Sequence, residues 1–217
     1  MIGSLAIALL AAASAPADDV VVLHVGKILT MNGADEVVAP GMLVLEGGKV
    51  AYAGPIVESR PGMPEPVHVP NAWATPGLVD LHTHIHSGGF GDVNDMVNAV
   101  NPELRASPAY RPNNPAIQVG RAGGVTTLFG IPGSGTNMGG FGLVYKSRAT
   151  GYPESVVRDP GGLKVAQDSN PQRRNGTDVG ITRAGMEWNL RDVADRALAA
   201  YKQGRRDPAL ENLGRIM

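Results

Sequence analysis

The sequence predicts an α/β chain in which a small β domain is followed by parallel β-α-β units. Residues 20–75 contain short apolar segments separated by turn residues, as expected of strands in a small sheet. Residues 78–86 form an apolar segment that ends in histidines, and residues 117–130 have the pattern of a helix, a glycine turn and a strand. Strands that alternate with helices are typical of parallel sheets, so the second part of the chain is assigned to that class.

Three segments predict the strands of the first part: residues 20–30, 41–54 and 67–76. Within the second of them, Gly47-Gly48 separates two apolar runs, which is the arrangement of a hairpin with a two-residue loop. We therefore expect a small antiparallel β domain in this part of the chain.

The second part continues with a long loop and ends in helices. Residues 87–115 hold several prolines and show no regular period, which predicts a large loop of the kind that often carries function. Apolar residues recur at helical spacing from Gly185 to Tyr201, so an amphipathic helix is expected there. Asp207-Pro208 then offers an N-cap and a first-turn proline for a further helix that runs to Met217.

The composition of the 217 residues is that of a globular protein, since 43% are hydrophobic, enough for a full core. Nineteen basic and twenty acidic side chains give a formal net charge of -1, so the charge balance does not favour a nucleic-acid partner. The chain has no cysteine, which excludes disulfides, thiolate catalysis and cysteine-ligated zinc.

Residues 1–17 are predicted to be a secretory signal peptide. The apolar run from Leu5 to Ala13 is too short to span a bilayer, and small residues follow it that suit cleavage after Ala15 or Ala17. No Lys or Arg precedes the run, which leaves a buried helix of the mature fold as the alternative. We expect a periplasmic or secreted protein without a membrane span after cleavage.

His82 and His84 are the first candidates for a functional site. If residues 78–84 form a strand, both side chains point to the same face, and their Nε2 atoms are close enough to share one metal ion. Imidazoles are common nitrogen ligands of Zn²⁺ and related divalent metals. Taken alone, a His-Thr-His sequence is better explained by a chance pair on a surface or in a core.

Three motifs in chain order resemble the metal-dependent amidohydrolases. Residues 74–84, ATPGLVDLHTH, resemble the first barrel strand of that superfamily, which has a Pro-Gly turn, an apolar pair, Asp, one residue and His-x-His. Residues 25–31 and 45–55 resemble its N-terminal β-sandwich, and residues 123–127 resemble its second strand.

Further segments are similar to the bacterial branch of that superfamily related to imidazolonepropionase, namely residues 132–140, 162–166 and 170–171. The resemblance implies a (β/α)₈ barrel of the TIM type preceded by a small β-sandwich. It assigns residues 18–75 to the sandwich and residues 76–217 to the first half of the barrel.

The resemblance also implies a metal centre at the C-terminal ends of the barrel strands. In it, His82 and His84 hold one divalent ion, with Zn²⁺ as the expected metal, and a carboxylate or carboxylated lysine bridges to a second. The related branch carries a Gly-Glu-Asn-Pro motif, whereas residues 167–171 here are Gln-Asp-Ser-Asn-Pro, so Asp168 is a candidate to replace that glutamate. Lys146 is the rival candidate for the bridge. For each of the two, a solvated surface charge is an equal explanation.

The glycine-rich segment 130–136 lacks the ending of a phosphate loop and the spacing of a dinucleotide fingerprint, so it does not predict a nucleotide site. It is interpreted as a loop above the barrel that contacts a small-molecule substrate. Ser134, Thr136 and Asn137 supply its hydrogen-bonding groups, and a plain glycine-rich turn is the alternative.

The chemistry implied is hydrolysis of carbon-nitrogen bonds other than linear peptide bonds, such as amides or cyclic amides. Histidine ligands leave a bound metal with positions for water, whose pKa falls toward about 7. The predicted function is therefore that of an amidohydrolase, and no residue is assigned as general base.

Two other interpretations stay open at this point. All five histidines precede residue 87, which is also expected of a catalytically incomplete fragment or a non-catalytic metal- or ligand-binding module. A structural β-sandwich with a helical appendage would bind no metal.

The part from Gly77 to Met217 is shorter than the about 250 residues of a typical barrel. We therefore expect a truncated barrel with little activity and an open edge that favours homo-oligomers.

Overall fold

The computed structural model describes residues 20–148, 151–172, 182–207 and 209–214. Its backbone contacts divide the chain into two compact units, with the division after Pro76. The predicted signal peptide at residues 1–17 lies outside the described residues. Among the helices that are described, none combines the length and the apolar character needed to cross a bilayer.

The described part of the first unit is a five-stranded sheet. Its strands are β1 (Val20–Leu29), β2 (Val37–Val38), β3 (Gly41–Glu46), β4 (Lys49–Pro55) and β5 (Val67–Ala74). β3 runs antiparallel to both β1 and β4, and β2 pairs antiparallel with the last two residues of β1. β5 pairs parallel with β1. The sheet is therefore mixed, which corrects the prediction of an antiparallel domain.

The hairpin between β3 and β4 lies where the sequence predicts it. Glu46 pairs with Lys49, so Gly47 and Gly48 form a two-residue loop. Their φ angles of 56° and 73° lie in the left-handed region. Two consecutive residues in that region are characteristic of the type I′ turn, whose twist matches that of the paired strands.

The described residues of the second unit form six strands, four helices and two 3₁₀ turns. The strands are β6 (Leu78–Thr83), β7 (Val125–Gly130), β8 (Met138–Phe141), β9 (Leu143–Lys146), β10 (Val156–Arg158) and β11 (Leu163–Val165). The helices are α1 (Pro115–Ala122), α2 (Ser169–Gln172), α3 (Arg183–Lys202) and α4 (Glu211–Gly214). The 3₁₀ turns are Phe90–Asp92 and Ser107–Ala109, both within the predicted long loop.

One parallel β-α-β unit is formed by β6, α1 and β7, since β6 pairs parallel with β7. The helix begins at Pro115 because Asn114 is its N-cap, with Oδ1 accepting a hydrogen bond from the Ala116 amide. β7 then pairs antiparallel with β9, and β9 with β10. The sheet is thus mixed, and the (β/α)₈ barrel and the β-sandwich stay predictions.

Two apolar clusters hold the second unit together. The first joins α1 to the sheet and contains Ala106, Tyr110, Ile117, Leu128, Leu143 and Tyr145. The second joins α3 and α4 to β8 and contains Met138, Val193, Ala197, Leu210 and Leu213. The α3 helix starts after its N-cap Thr182, whose Oγ1 accepts from the Gly185 amide, and includes the amphipathic segment that the sequence predicts.

β6 is the edge strand of the sheet with order β10-β9-β7-β6. Three of its apolar side chains, Leu78, Val79 and Leu81, are exposed. An edge strand leaves part of its backbone donors and acceptors without a partner strand. The segment that carries the two site histidines therefore borders solvent on one side.

Candidate metal centre

His82 and His84 are brought together at the C-terminal end of β6. The strand ends at Thr83, so His82 is its penultimate residue and His84 the first residue beyond it. Their ring centroids are 5.4 Å apart and the rings are nearly perpendicular, with an interplanar angle of 79°. The His82 amide donates to Asp80 Oδ1 at 2.9 Å, which fixes the backbone at the start of the pair.

The His84 ring is oriented by a backbone carbonyl. Its Nδ1 lies 2.8 Å from the carbonyl oxygen of Ile131, the residue that follows β7. A carbonyl only accepts, so Nδ1 carries the hydrogen and the neutral ring presents a lone pair at Nε2. The Ile131 amide in turn donates to the Thr83 carbonyl at 3.0 Å. This bond fixes Ile131 beside the end of β6. An anchored Nδ1 is the usual second contact of a metal-binding histidine.

The surroundings of His82 favour its neutral form. Burial lowers the pKa of His82, and the positive charge of Lys164 and the neighbouring His84 lower it further, while Asp80 opposes them. A neutral imidazole has a free lone pair, as a metal ligand requires.

His82 opens into a cleft of about 290 Å³. Ser134, Lys164 and the segment 165–171, which includes Asp168, line the same cleft. Lys164 lies on β11 with only 8% of its surface exposed, and burial lowers the pKa of its ammonium group. Sequence reasoning did not single out Lys164, although a lone cation between Leu163 and Val165 in a short apolar strand is a signal for a special role.

Of the two predicted bridging residues, Asp168 lies in the cleft and Lys146 does not. The Asp168 carboxylate is exposed and forms an ion pair with Arg183 at 3.2 Å. Lys146 ends β9, where it pairs with Thr127 and donates through Nζ to the Thr127 hydroxyl at 2.8 Å. The structure therefore places Lys146 away from the histidine pair.

Of the three predicted substrate-binding residues, one lies in the cleft and two do not. Ser134 lines the cleft with His82. Thr136 and Asn137 are fully buried: the Thr136 hydroxyl donates to the Met138 carbonyl, and the Asn137 amide donates to the Ala166 carbonyl at 2.9 Å. Both are placed in the interior rather than on the wall of the cleft.

The donor set fits a divalent metal at His82 and His84, because two imidazoles are neighbours, with centroids 5.4 Å apart, and one is anchored through Nδ1. Within residues 20–148, 151–172, 182–207 and 209–214, no group of three or more His, Asp or Glu side chains is arranged to hold a metal ion. Among the described residues, the candidate centre thus rests on two imidazoles.

His86, the next histidine in the alternation, is completely buried. Neither ring nitrogen has a hydrogen-bond partner among the described residues. Burial lowers the pKa of His86 from 6.5 to about 4, with a further contribution from His84, while the Thr83 carbonyl and Asp92 oppose the change. His86 is therefore neutral in the folded protein at neutral pH.

This shift makes the stability of the second unit dependent on pH. Between pH 6.5 and about 4 the unfolded chain binds a proton at His86 that the folded chain does not, so stability falls as the pH falls through this range. We expect a loss of about 3 kcal/mol from this group. Urea unfolding of metal-free protein at a series of pH values measures it. His86→Leu should flatten the pH dependence, and an unchanged slope in that variant would contradict the assignment.

Comparison with known proteins finds similarity to proteins named amidohydrolase and imidazolonepropionase. No family model matches the chain. It is 32% identical to the amidohydrolase tasK of Hapsidospora irregularis, over 57% of this chain and 14% of that protein. It is 41% identical to an imidazolonepropionase of Pseudomonas paraeruginosa, over 30% of this chain and 17% of the relative.

A solved structure extends the comparison to most of the fold. The crystal structure of an amidohydrolase from Thermotoga maritima matches with a TM-score of 0.74 and 30% identity, over 88% of this chain and 54% of that one. The chain thus spans about half of the solved relative and less than a fifth of the curated relatives in these alignments. Over the aligned residues, the chain is related to the amidohydrolase superfamily.

Proposed function

We propose that this protein is a metal-dependent hydrolase that cleaves carbon-nitrogen bonds of small molecules, amides or cyclic amides rather than linear peptides. The observation that carries the proposal is the pair of nearly perpendicular imidazoles of His82 and His84, one of them anchored on the Ile131 carbonyl. The names of the relatives, amidohydrolase and imidazolonepropionase, support the class of bond.

In this proposal, His82 and His84 hold one divalent metal ion, which we take to be Zn²⁺ because imidazole nitrogen is a preferred ligand of zinc. When bound, the metal supplies the Lewis acidity that makes water nucleophilic near neutral pH. The anchored Nδ1 of His84 keeps its Nε2 directed to one position without a rearrangement of the ring.

Two further side chains of the cleft act on the substrate. Lys164 places a buried positive charge in the same cleft as His82, which favours a carbonyl oxygen that gains negative charge as water attacks. Ser134 offers a hydroxyl that donates to or accepts from the amide group. Asp168 is a candidate additional metal ligand. To bind the metal, its carboxylate has to give up the exposed ion pair with Arg183.

The test uses the complete product of the gene, freed of metal and reloaded with Zn²⁺. It is assayed against hydantoin, an N-acetyl amino acid and a dipeptide, with release of the hydrolysis products followed by NMR. We expect zinc-dependent hydrolysis of an amide or cyclic amide, strongly reduced in Lys164→Met. Zinc binding without turnover of any substrate would instead support the alternative, a non-catalytic metal-binding module.

A further inference from the structure

The second unit contains a second hollow, which shares no lining residue with the His82 cleft. It has a volume of about 390 Å³ and is lined by the loop 91–96, the segment 104–106, Pro132, Gly139 and His86. None of these residues lines the His82 cleft. The predicted metal chemistry makes no use of this hollow.

The buried imidazole of His86 forms part of its wall. The side chain is 0% exposed, and both Nδ1 and Nε2 are buried without a hydrogen-bond partner among the described residues. Its position depends on the absence of a side chain at Gly130, because a Cβ atom there would lie 2.7 Å from the His86 Cβ. Buried polar atoms are nearly always paired in native proteins, so this ring calls for a partner that enters from the hollow.

The chemistry of the neutral ring limits what that partner can be. A neutral imidazole carries one N–H group and one nitrogen lone pair. A ligand that satisfies it must donate through an N–H or O–H group.

The charged groups around the hollow select a cation. Asp92 and Asp95 line it, and neither forms a salt bridge with another of the described residues. Asp95 Oδ1 accepts one hydrogen bond from the Val97 amide. Arg105, the single cation among the described residues of the wall, donates to Asn212 Oδ1 at 2.7 Å. The wall therefore carries one net negative charge.

We propose that this hollow binds a small organic cation with N–H donors, of the alkylammonium or guanidinium class, which donates to His86 and is balanced by Asp92 and Asp95. The site needs no metal ion, so it can be tested without the proposed hydrolase activity. Its charge balance also separates it from the His82 cleft, where Lys164 lies beside the histidine.

The experiment titrates metal-free, ¹⁵N-labelled protein with methylguanidinium and follows the backbone amide shifts. Methylurea, which is nearly the same size and neutral, is the matched ligand control. We expect saturable shifts within residues 91–96 and 104–106, with affinity for methylguanidinium about tenfold above that for methylurea. Added salt should weaken the binding of the cation and leave that of methylurea unchanged.

Variants test each part of the site. Asp92→Asn with Asp95→Asn keeps the shape of two exposed residues and should weaken methylguanidinium binding by about tenfold. His86→Leu should abolish it, and the amide spectrum shows whether that variant is folded. Asp168→Asn, in the other cleft, should leave it unchanged. Equal affinity for the two probes, unchanged affinity in the double variant, or shifts confined to residues 164–171 would each overturn the proposal.

Discussion

Replacement of His82 or His84 with alanine is expected to weaken Zn²⁺ binding by about a hundredfold. Loss of a partner that merely orients a metal ligand costs about 10- to 100-fold in affinity, so loss of one of two imidazole ligands reaches at least the upper end of that range. The two ring centroids are 5.4 Å apart, and each variant leaves a single imidazole at the proposed centre. Competition with a chelating dye measures the affinity, and elemental analysis gives the metal content.

The matched control is His68→Ala. His68 is an exposed histidine of the first unit whose ring lies 4.8 Å from that of His24, centroid to centroid. It provides a second pair of neighbouring imidazoles that the proposal does not use. Unchanged metal content in both His82→Ala and His84→Ala would remove the proposed centre, and a loss in His68→Ala alone would move the metal site to the first unit.

The histidine pair was predictable because it depends on local geometry. The apolar run before it indicates a strand, and the alternation of side chains along a strand brings residues two apart to the same face. The structure has a strand over Leu78–Thr83 and the two rings in contact, although His84 lies just beyond the strand end. The same argument applies to Gly47-Gly48, where the hairpin requires two residues with positive φ and the sequence provides two glycines.

The positions of Lys146 and Lys164 relative to the histidine pair were not predictable, because they depend on strand pairing between distant segments. Lys146 pairs with Thr127, three residues before Gly130, whereas Gly130 pairs with Thr83 beside the histidines. The antiparallel register of β9 thus carries Lys146 to the opposite end of β7. Lys164 lies on β11, which pairs with β8, and joins His82 in the cleft. Spacing along the chain contains none of this register information.

Burial of polar side chains also cannot be predicted from the local sequence. Ser134, Thr136 and Asn137 are all hydrogen-bonding residues in one glycine-rich segment, and their types suggest exposure. The burial of Asn137 is offset by the bond from its amide to the Ala166 carbonyl, 29 residues away, and that of Thr136 by the bond from its hydroxyl to the Met138 carbonyl. In the first unit, the parallel pairing of β5 with β1 similarly depends on the path of the chain between Pro55 and Val67.

The largest effect on stability is expected for Phe141→Ala. Phe141 is a strand residue of β8 with no exposed surface. Its amide donates to the Leu104 carbonyl and its carbonyl accepts from the Ala106 amide, both at 2.8 Å, so the same residue fixes the segment that lines the second hollow. Truncation of a buried phenylalanine removes apolar contacts and leaves a cavity, which costs about 3–5 kcal/mol.

Phe90→Ala is the matched control, because Phe90 is 90% exposed and its truncation removes little buried surface. We expect a change within about 0.5 kcal/mol for that variant. Urea unfolding followed by Trp188 fluorescence in a Trp73→Phe background reports on the second unit alone, since Trp73 belongs to the first. If Phe141→Ala lowers the free energy of unfolding no more than Phe90→Ala does, the phenylalanine is not packed in the interior of this unit. The backbone hydrogen bonds of Phe141 would then hold residues 104–106, which line the second hollow, without support from the Phe141 side chain.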